Sequence, residues 1–170
     1  DLWGGSFARS DEAAMLKLLL CVGAFSLCLL LAWLLTRKYR LRKDFYYNLS
    51  LFNERLYNEV SYTREPLPSF IEKQPFGGDF KKILTERSAN GFRPGDCAIP
   101  YLKEDERKFL DDYLSMIGKS DAASQKNYLA SRRAEVEARR QASEEAYKKH
   151  FSLYIKLGVL AGLVLVILIV

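Results

Sequence analysis

The stretch LGVLAGLVLVILIV, residues 157–170, decides the fold class, because it places fourteen uncharged and almost wholly apolar residues in a row. A second apolar block, LLLCVGAFSLCLLLAWLL, occupies residues 18–35. Apolar surface this continuous favours aggregation in water. In a bilayer the same segments satisfy their backbone groups as helices and expose their side chains to lipid. The two blocks therefore predict a membrane protein with one polar domain between two transmembrane helices.

The length of each block can be compared with the thickness of a bilayer. About 20 helical residues cross a hydrocarbon core of about 30 Å, and the eighteen residues of the first block, with Trp33 near one end, approach this length. The second block has fourteen, so its predicted span begins at Phe151 and includes Lys156, whose side chain can reach the interface. A hydrophobic tail packed on a protein partner is the alternative for the second block. A signal peptide is the alternative for the first, although no A-x-A-like cleavage site follows it.

Basic residues flank both blocks on the side of the central domain, whereas the far side of the first block carries only Arg9 and Lys17. Lys-rich and Arg-rich flanks stay on the cytoplasmic side of a membrane. We therefore expect a two-span protein of the cell membrane with a cytoplasmic central domain. The basic residues predicted to contact membrane lipid at the interface are Arg37, Lys38, Arg40, Arg42, Lys43, Lys148, Lys149 and Lys156.

The segment between the spans predicts an all-α helical bundle. From Leu41 to Val60 the apolar residues recur at intervals of three and four, as on one face of an amphipathic helix. Asp79 is expected to cap a later helix, and Ser120 or Asp121 to cap the last one. The predicted organisation is an N-terminal tail at 1–17, a span at 18–35, a helical domain at 37–150 and a span at 151–170. Within the domain we predict helices at about 37–63, 68–74, 79–89, 102–117 and 121–150.

The last predicted helix has no proline or glycine between residue 122 and Gly158, so it can continue into the terminal span. Alanines recur in it at every fourth position from Ala130 to Ala146, and Leu129 and Val136 lie seven residues apart. One interpretation is a solvated helix with a single shallow packing face. The other is a small-residue face for close helix–helix contact, within the protein or in a homo-oligomer.

The sequence offers few groups for catalysis. His150 is the only histidine, and no glycine-rich segment matches the phosphate-binding loop. The acidic pairs Asp111-Asp112 and Glu144-Glu145 are expected to be solvated on exposed helix faces. We therefore predict no enzyme activity, no catalytic residue, no metal site, no cofactor and no small-molecule substrate.

Charge and cysteine content restrict the possible partners further. The net charge of +5 comes with mixed signs over residues 51–131, so nucleic-acid binding is not expected. Cys21 and Cys28 lie on one helix face of the first span, where they serve as small apolar residues. Cys97 is predicted to lie in a loop, and no disulfide is expected.

Three stretches, in this order, resemble the stage III sporulation protein AB family of endospore-forming bacteria. The first is Glu59-Val60-Ser61-Tyr62 followed by Pro66-Leu67-Pro68. The second runs from Leu114 to Asp121, with Gln125 following, and the third is the Leu157-Gly158-Val159-Leu160 opening of the terminal run. The resemblance extends over residues 15–170 and rests on the order and spacing of these stretches between two apolar spans.

The resemblance implies a function that the residues alone do not. Members of this family are mother-cell membrane proteins of an assembly that joins mother cell and forespore. Their soluble domain is similar to the F-type platform domain of type II secretion systems. The resemblance therefore implies a non-enzymatic platform subunit that links a cytoplasmic secretion-type ATPase to ring-forming proteins of a secretion-like complex. The alternative is a general membrane-anchored coiled-coil scaffold for cell-envelope organisation.

Overall fold

The computed structural model describes residues 4–62 and 65–169, and the side chains of residues 12–62 and 65–168. Over these residues the chain is helical and contains no strand, which confirms the all-α prediction. The helices are α1 (Gly4–Tyr62), α2 (Leu67–Lys73), α3 (Gly78–Ala89), α4 (Glu104–Ser115) and α5 (Ala122–Ile169). The chain divides into two compact units, one formed by the described parts of Asp1–Arg37 and Tyr147–Val170, the other by Lys38–Ala146.

The first helix begins earlier than the sequence predicted. Helix α1 starts at Gly4, so most of the predicted N-terminal tail, residues 1–17, is helical. Residues 1–3 of that tail lie outside the described part of the chain. The tail lacks hydrophobic periodicity, but alanine, leucine and methionine are strong helix formers and need no amphipathic pattern to extend a neighbouring helix.

The helix boundaries of the domain follow its turn residues. Gly91 (φ 66°) ends α3 and Gly118 (φ 73°) follows α4, as predicted. The backbone amide of Gln125 donates a hydrogen bond to the backbone carbonyl of Asp121, which places Asp121 at the start of α5. The cap predicted for α3 was wrong by two residues, since Gly77 is the N-cap and Asp79 lies in the first turn of the helix, which begins at Gly78. Asp79 instead accepts a hydrogen bond from the Tyr101 hydroxyl at 2.9 Å.

The core of the domain is rich in aromatic side chains. Helix α1 contributes Phe45, Leu49, Phe52 and Leu56, all at most 3% exposed and spaced by four, three and four residues. The ring of Phe52 lies edge-on to three rings from the rest of the domain at centroid distances of 5.7–6.5 Å: Phe76, Phe80 and Tyr113. Edge-to-face pairs add to the free energy gained by burial, so these rings hold α3, α4 and the segment between α2 and α3 against α1.

In the unit formed by the described parts of Asp1–Arg37 and Tyr147–Val170, the two apolar segments pack against each other. In the apolar windows of the two long helices only 6% and 11% of the residues are buried inside the structure. Both helices are long and apolar enough to cross a membrane. Because a core helix of a water-soluble protein would bury most of such a window, the exposure indicates that lipid covers these segments.

Candidate functional site

The two apolar segments pack through small residues. Gly158 and Gly162, four residues apart on α5, are both buried. A Cβ atom built on Gly158 would lie 3.2 Å from Ala32 Cβ and 3.4 Å from the carbonyl oxygen of Cys28. This G-x-x-x-G spacing lets helix backbones approach closely in a membrane. The contact involves the backbone of Cys28, so the role of its side chain as a small apolar residue stays a prediction.

The predicted interfacial cations lie in different surroundings. Arg37, Lys38, Lys148, Lys149 and Lys156 are exposed, whereas Arg40 and Lys43 are half-buried. Lys38 Nζ lies 5.0 Å from the ring centroid of Tyr39, and Lys43 Nζ lies 3.6 Å from Asp44 Oδ1. No observation tests contact between these residues and lipid, so the interfacial role of the group stays a prediction.

Arg42 differs from the other cations because its guanidinium binds a buried carboxylate. Its Nη2 and Nε atoms lie 2.5 Å and 2.9 Å from Glu106 Oε1, and Glu106 is only 3% exposed. The Tyr46 hydroxyl donates to the same oxygen at 3.0 Å, and the Lys103 amide donates to the other. Burial acts to raise the pKa of Glu106, but these hydrogen bonds, led by Arg42, outweigh it and hold the pKa below its usual value.

The burial of Glu106 was not predicted from the sequence. A signal for it exists. Glu106 precedes Phe109, Leu110 and Tyr113 by three, four and seven residues, so it lies on the same buried stripe of α4. A carboxylate on such a stripe needs a buried cation, and Arg42 supplies it.

A second buried ion pair fixes the loop between α3 and α4. The Arg87 guanidinium donates to the carbonyl groups of Arg93 and Gly95, to Cys97 Sγ at 3.1 Å and to Asp111 Oδ1 at 2.6 Å. The expectation that Asp111 is a solvated surface carboxylate is therefore wrong. Its side chain is 28% exposed and also accepts the Gly95 amide at 2.9 Å. Arg87 and Asp111 thus both bind the backbone of the long loop, and Phe92, Cys97 and Ile99 of this loop are part of the core.

Most of the alanine row on α5 is exposed, and only its last member, Ala146, is half-buried. Ala130, Ala134, Ala138 and Ala142 are exposed, and the buried face of the helix is formed instead by Gln125, Leu129, Val136 and Ser143. The exposure of Ala130, Ala134, Ala138 and Ala142 shows that these four residues are not part of the buried face of α5. Contact of these alanines with another subunit stays a prediction. The coiled-coil scaffold also stays a prediction.

A cleft lies at the end of the domain where α1 ends and α5 begins. The end of α1, the segment that follows α4 and the starts of α2 and α5 all contribute to it. It is mainly apolar, with polar groups at the rim, and we refer to it as the α1–α5 cleft. Its lining includes Leu56, Glu59, Val60, Leu67, Ile117 and Gln125.

Groups suited to catalysis are dispersed. Over the described residues no set of three or more histidine, cysteine, aspartate or glutamate side chains is placed to hold a metal ion. His150 packs near the ring of Tyr154 with the centroids 6.3 Å apart. Cys21, Cys28 and Cys97 are all free thiols, as expected.

The family assignment comes from comparison with known proteins. Residues 97–170 match the family model of stage III sporulation protein AB. No curated protein and no solved structure matches the chain. The matched segment contains α4, the buried carboxylate Glu106, the half-buried Asp111, and the whole of α5 with its glycine pair. Over this segment the chain is similar to the stage III sporulation protein AB family, and the match supports a role in stage III sporulation.

Proposed function

We propose that the protein is a non-enzymatic platform subunit of a secretion-like complex between mother cell and forespore. Its domain binds a cytoplasmic secretion-type ATPase, and its two spans hold the domain at the mother-cell membrane beside ring-forming subunits. The match of residues 97–170 to the sporulation family carries this proposal. The two apolar helices support the membrane anchor, and the basic flanks support a cytoplasmic domain.

If the protein is such a subunit, the cell needs its gene to form spores. Deletion of the gene is expected to arrest sporulation after engulfment, with collapsed or small forespores under the microscope. Expression of the full chain from another locus should restore normal spores. A deletion strain that forms normal forespores and a wild-type number of heat-resistant spores would contradict the proposal.

The proposal also requires the domain to lie in the cytoplasm. Lys82 is 80% exposed in the domain and is a suitable labelling position, whereas Ser88 in the same helix is half-buried. In a chain without its three cysteines, Lys82→Cys should resist a membrane-impermeant maleimide in intact cells and react after the cells are opened. Reaction in intact cells would place the domain outside, where it has no access to a cytoplasmic ATPase.

The exposed alanine row favours a second candidate, a membrane-anchored scaffold for envelope organisation that self-associates through α5. Small residues at every fourth position allow helices to approach closely. In this case Ala134→Leu should disrupt self-association, and no ATPase should copurify with the protein.

A further inference from the structure

We propose that the α1–α5 cleft binds an extended segment of a partner protein that carries an apolar side chain beside a basic residue. That the partner is the ATPase rests on the function proposed above. The chemistry of the bound segment follows from the cleft itself.

The base and walls of the cleft suit one apolar side chain. Leu56 and Ile117 form its base and are 2% and 1% exposed. Val60 and Leu67 line its sides and are half-buried. The walls are preformed, because Gly118 beside Ile117 adopts a left-handed turn against Leu67, where a Cβ on the glycine would lie 3.5 Å from Leu67 Cδ2.

Gln125 offers a hydrogen-bond donor with no acceptor in the described chain. The residue is 5% exposed, and its Oε1 accepts the Gly118 amide at 2.9 Å. Since only the oxygen of a carboxamide accepts, this bond fixes the orientation of the side chain. The remaining amino group, Nε2, is buried and lacks a partner. A buried donor without an acceptor is costly, and a backbone carbonyl of a bound segment would satisfy it.

The rim of the cleft favours a positively charged neighbour. Glu59 and Glu65 are its only charged lining residues. Lys73 and Ser69 donate to Glu65, and these bonds lower the pKa of that carboxyl, so it is ionised at neutral pH. Lys73 pairs with Glu65, so among the described lining residues the carboxylate of Glu59 is the charge that no cation neutralises. A lysine or arginine beside the apolar residue of the partner would complement it.

The surrounding surface also has the character of a binding site. The segments that line the cleft carry Tyr62 and Met116, which are 86% and 49% exposed. Within the described part of Lys38–Ala146, Tyr47 is the one other large apolar side chain with this degree of exposure. Concentrated exposed apolar side chains mark interaction sites. The same segments, residues 59–62, 66–68 and 114–121, carried two of the three stretches that resemble the sporulation family.

Binding of the full-length protein in nanodiscs to the purified ATPase tests the cleft. Val60→Arg places a bulky cation in the cleft, and Leu51→Arg is its matched control, a half-buried apolar residue of α1 outside it. Gln125→Glu keeps the acceptor for the Gly118 amide and removes the donor, with Asn127→Asp on the exposed face of α5 as its control. Circular dichroism shows whether each variant is folded.

We expect Val60→Arg to abolish binding. Gln125→Glu should raise the Kd about tenfold, because it removes one hydrogen bond to the partner. Both control variants should bind as the wild type does. Wild-type affinity in folded Val60→Arg would overturn the cleft proposal and leave the proposed function intact.

If the wild-type protein does not bind the ATPase, the proposed function fails and the cleft is tested separately. A photo-cross-linking residue at Leu67 in sporulating cells should then capture a protein segment with an apolar residue next to lysine or arginine. Capture of segments without this pattern, or of none, would overturn the cleft proposal.

Discussion

Gly162 of α5 lies directly against the ring of Phe25 of α1, so close that a Cβ atom at position 162 would overlap the ring. One turn earlier on α5, Gly158 faces Ala32 in the same way. The two apolar segments therefore form an antiparallel pair whose spacing depends on the absence of side chains at two positions. Lipid gives little hydrophobic drive for helices to associate, so this close fit is what holds the pair together.

A disulfide should form across the helix pair. A Cβ at position 158 lies 3.2 Å from that of Ala32, close to the spacing of about 3.5–4.5 Å found in disulfides. With Cys21 and Cys28 replaced by alanine, Ala32→Cys/Gly158→Cys should cross-link upon oxidation, as a mobility shift on a denaturing gel. Leu31→Cys/Val159→Cys, two exposed positions, is the control pair and should remain reduced.

Filling the glycine position should separate the helices. Gly162→Leu places a branched side chain where the Phe25 ring lies, and overpacking of this kind costs about 1–3 kcal/mol. The yield of the disulfide between positions 32 and 158 should fall several-fold in this variant. Ala161→Leu adds the same side chain at an exposed neighbouring position and should leave the yield unchanged. Equal yields in the two variants would show that the glycine contact does not hold the pair.

Glu106 should make the domain sensitive to acid. Its pKa in the folded protein lies below the value of about 4.3 expected for an unfolded chain. Its stabilising contribution is therefore complete above that pH and is lost as the pH falls through the lower pKa of the folded state. Glu106→Gln should lower the free energy of unfolding by about 1–3 kcal/mol at neutral pH.

The same variant should lose less stability than the wild type does when the pH falls below about 4. Near-ultraviolet circular dichroism of the buried tyrosines follows the unfolding in detergent micelles. Asp112→Asn, at an exposed position of the same helix, is the control. A parallel decline of stability in wild type and Glu106→Gln below pH 4 would argue against this role of the carboxylate.

Arg87 should protect the thiol of Cys97. The guanidinium binds both the loop backbone and Cys97 Sγ, and the cysteine is only 4% exposed. Arg87→Ala should free the loop and raise the rate at which a thiol reagent modifies Cys97 at least tenfold, in a chain without Cys21 and Cys28. Arg93→Ala, whose exposed side chain makes none of the loop's hydrogen bonds to Arg87, should react at the wild-type rate. If the two variants react alike, the loop is held by other contacts.

The helices were predictable because local residues determine them. Glycines at 91 and 118 and prolines at 66 and 68 end or begin helices through their own backbone preferences, and the apolar spacing of Phe45, Leu49, Phe52 and Leu56 marks the buried face of α1. The spans were predictable from length and hydropathy. Each of these features is encoded within one short stretch of chain.

The polar contacts of the core were not predictable, because their partners are distant in sequence. Arg42 and Glu106 are 64 residues apart, and Arg87 reaches Asp111 across 24 residues. Arg42 counted as an interfacial cation and Asp111 as a solvated carboxylate, since a single helix pattern does not reveal what lies opposite. The α1–α5 cleft is of the same kind, because its lining brings together Leu56 and Ile117, which are 61 residues apart.

Copurification from sporulating cells tests the platform function most directly. Full-length protein carrying an affinity tag is extracted from membranes after engulfment, and its partners are identified by mass spectrometry. We expect the secretion-type ATPase and the ring-forming subunits to be recovered together, and Val60→Arg to lose the ATPase while it keeps the ring subunits. Recovery of the protein alone, or with its own copies only, from membranes in which those subunits are present would contradict it.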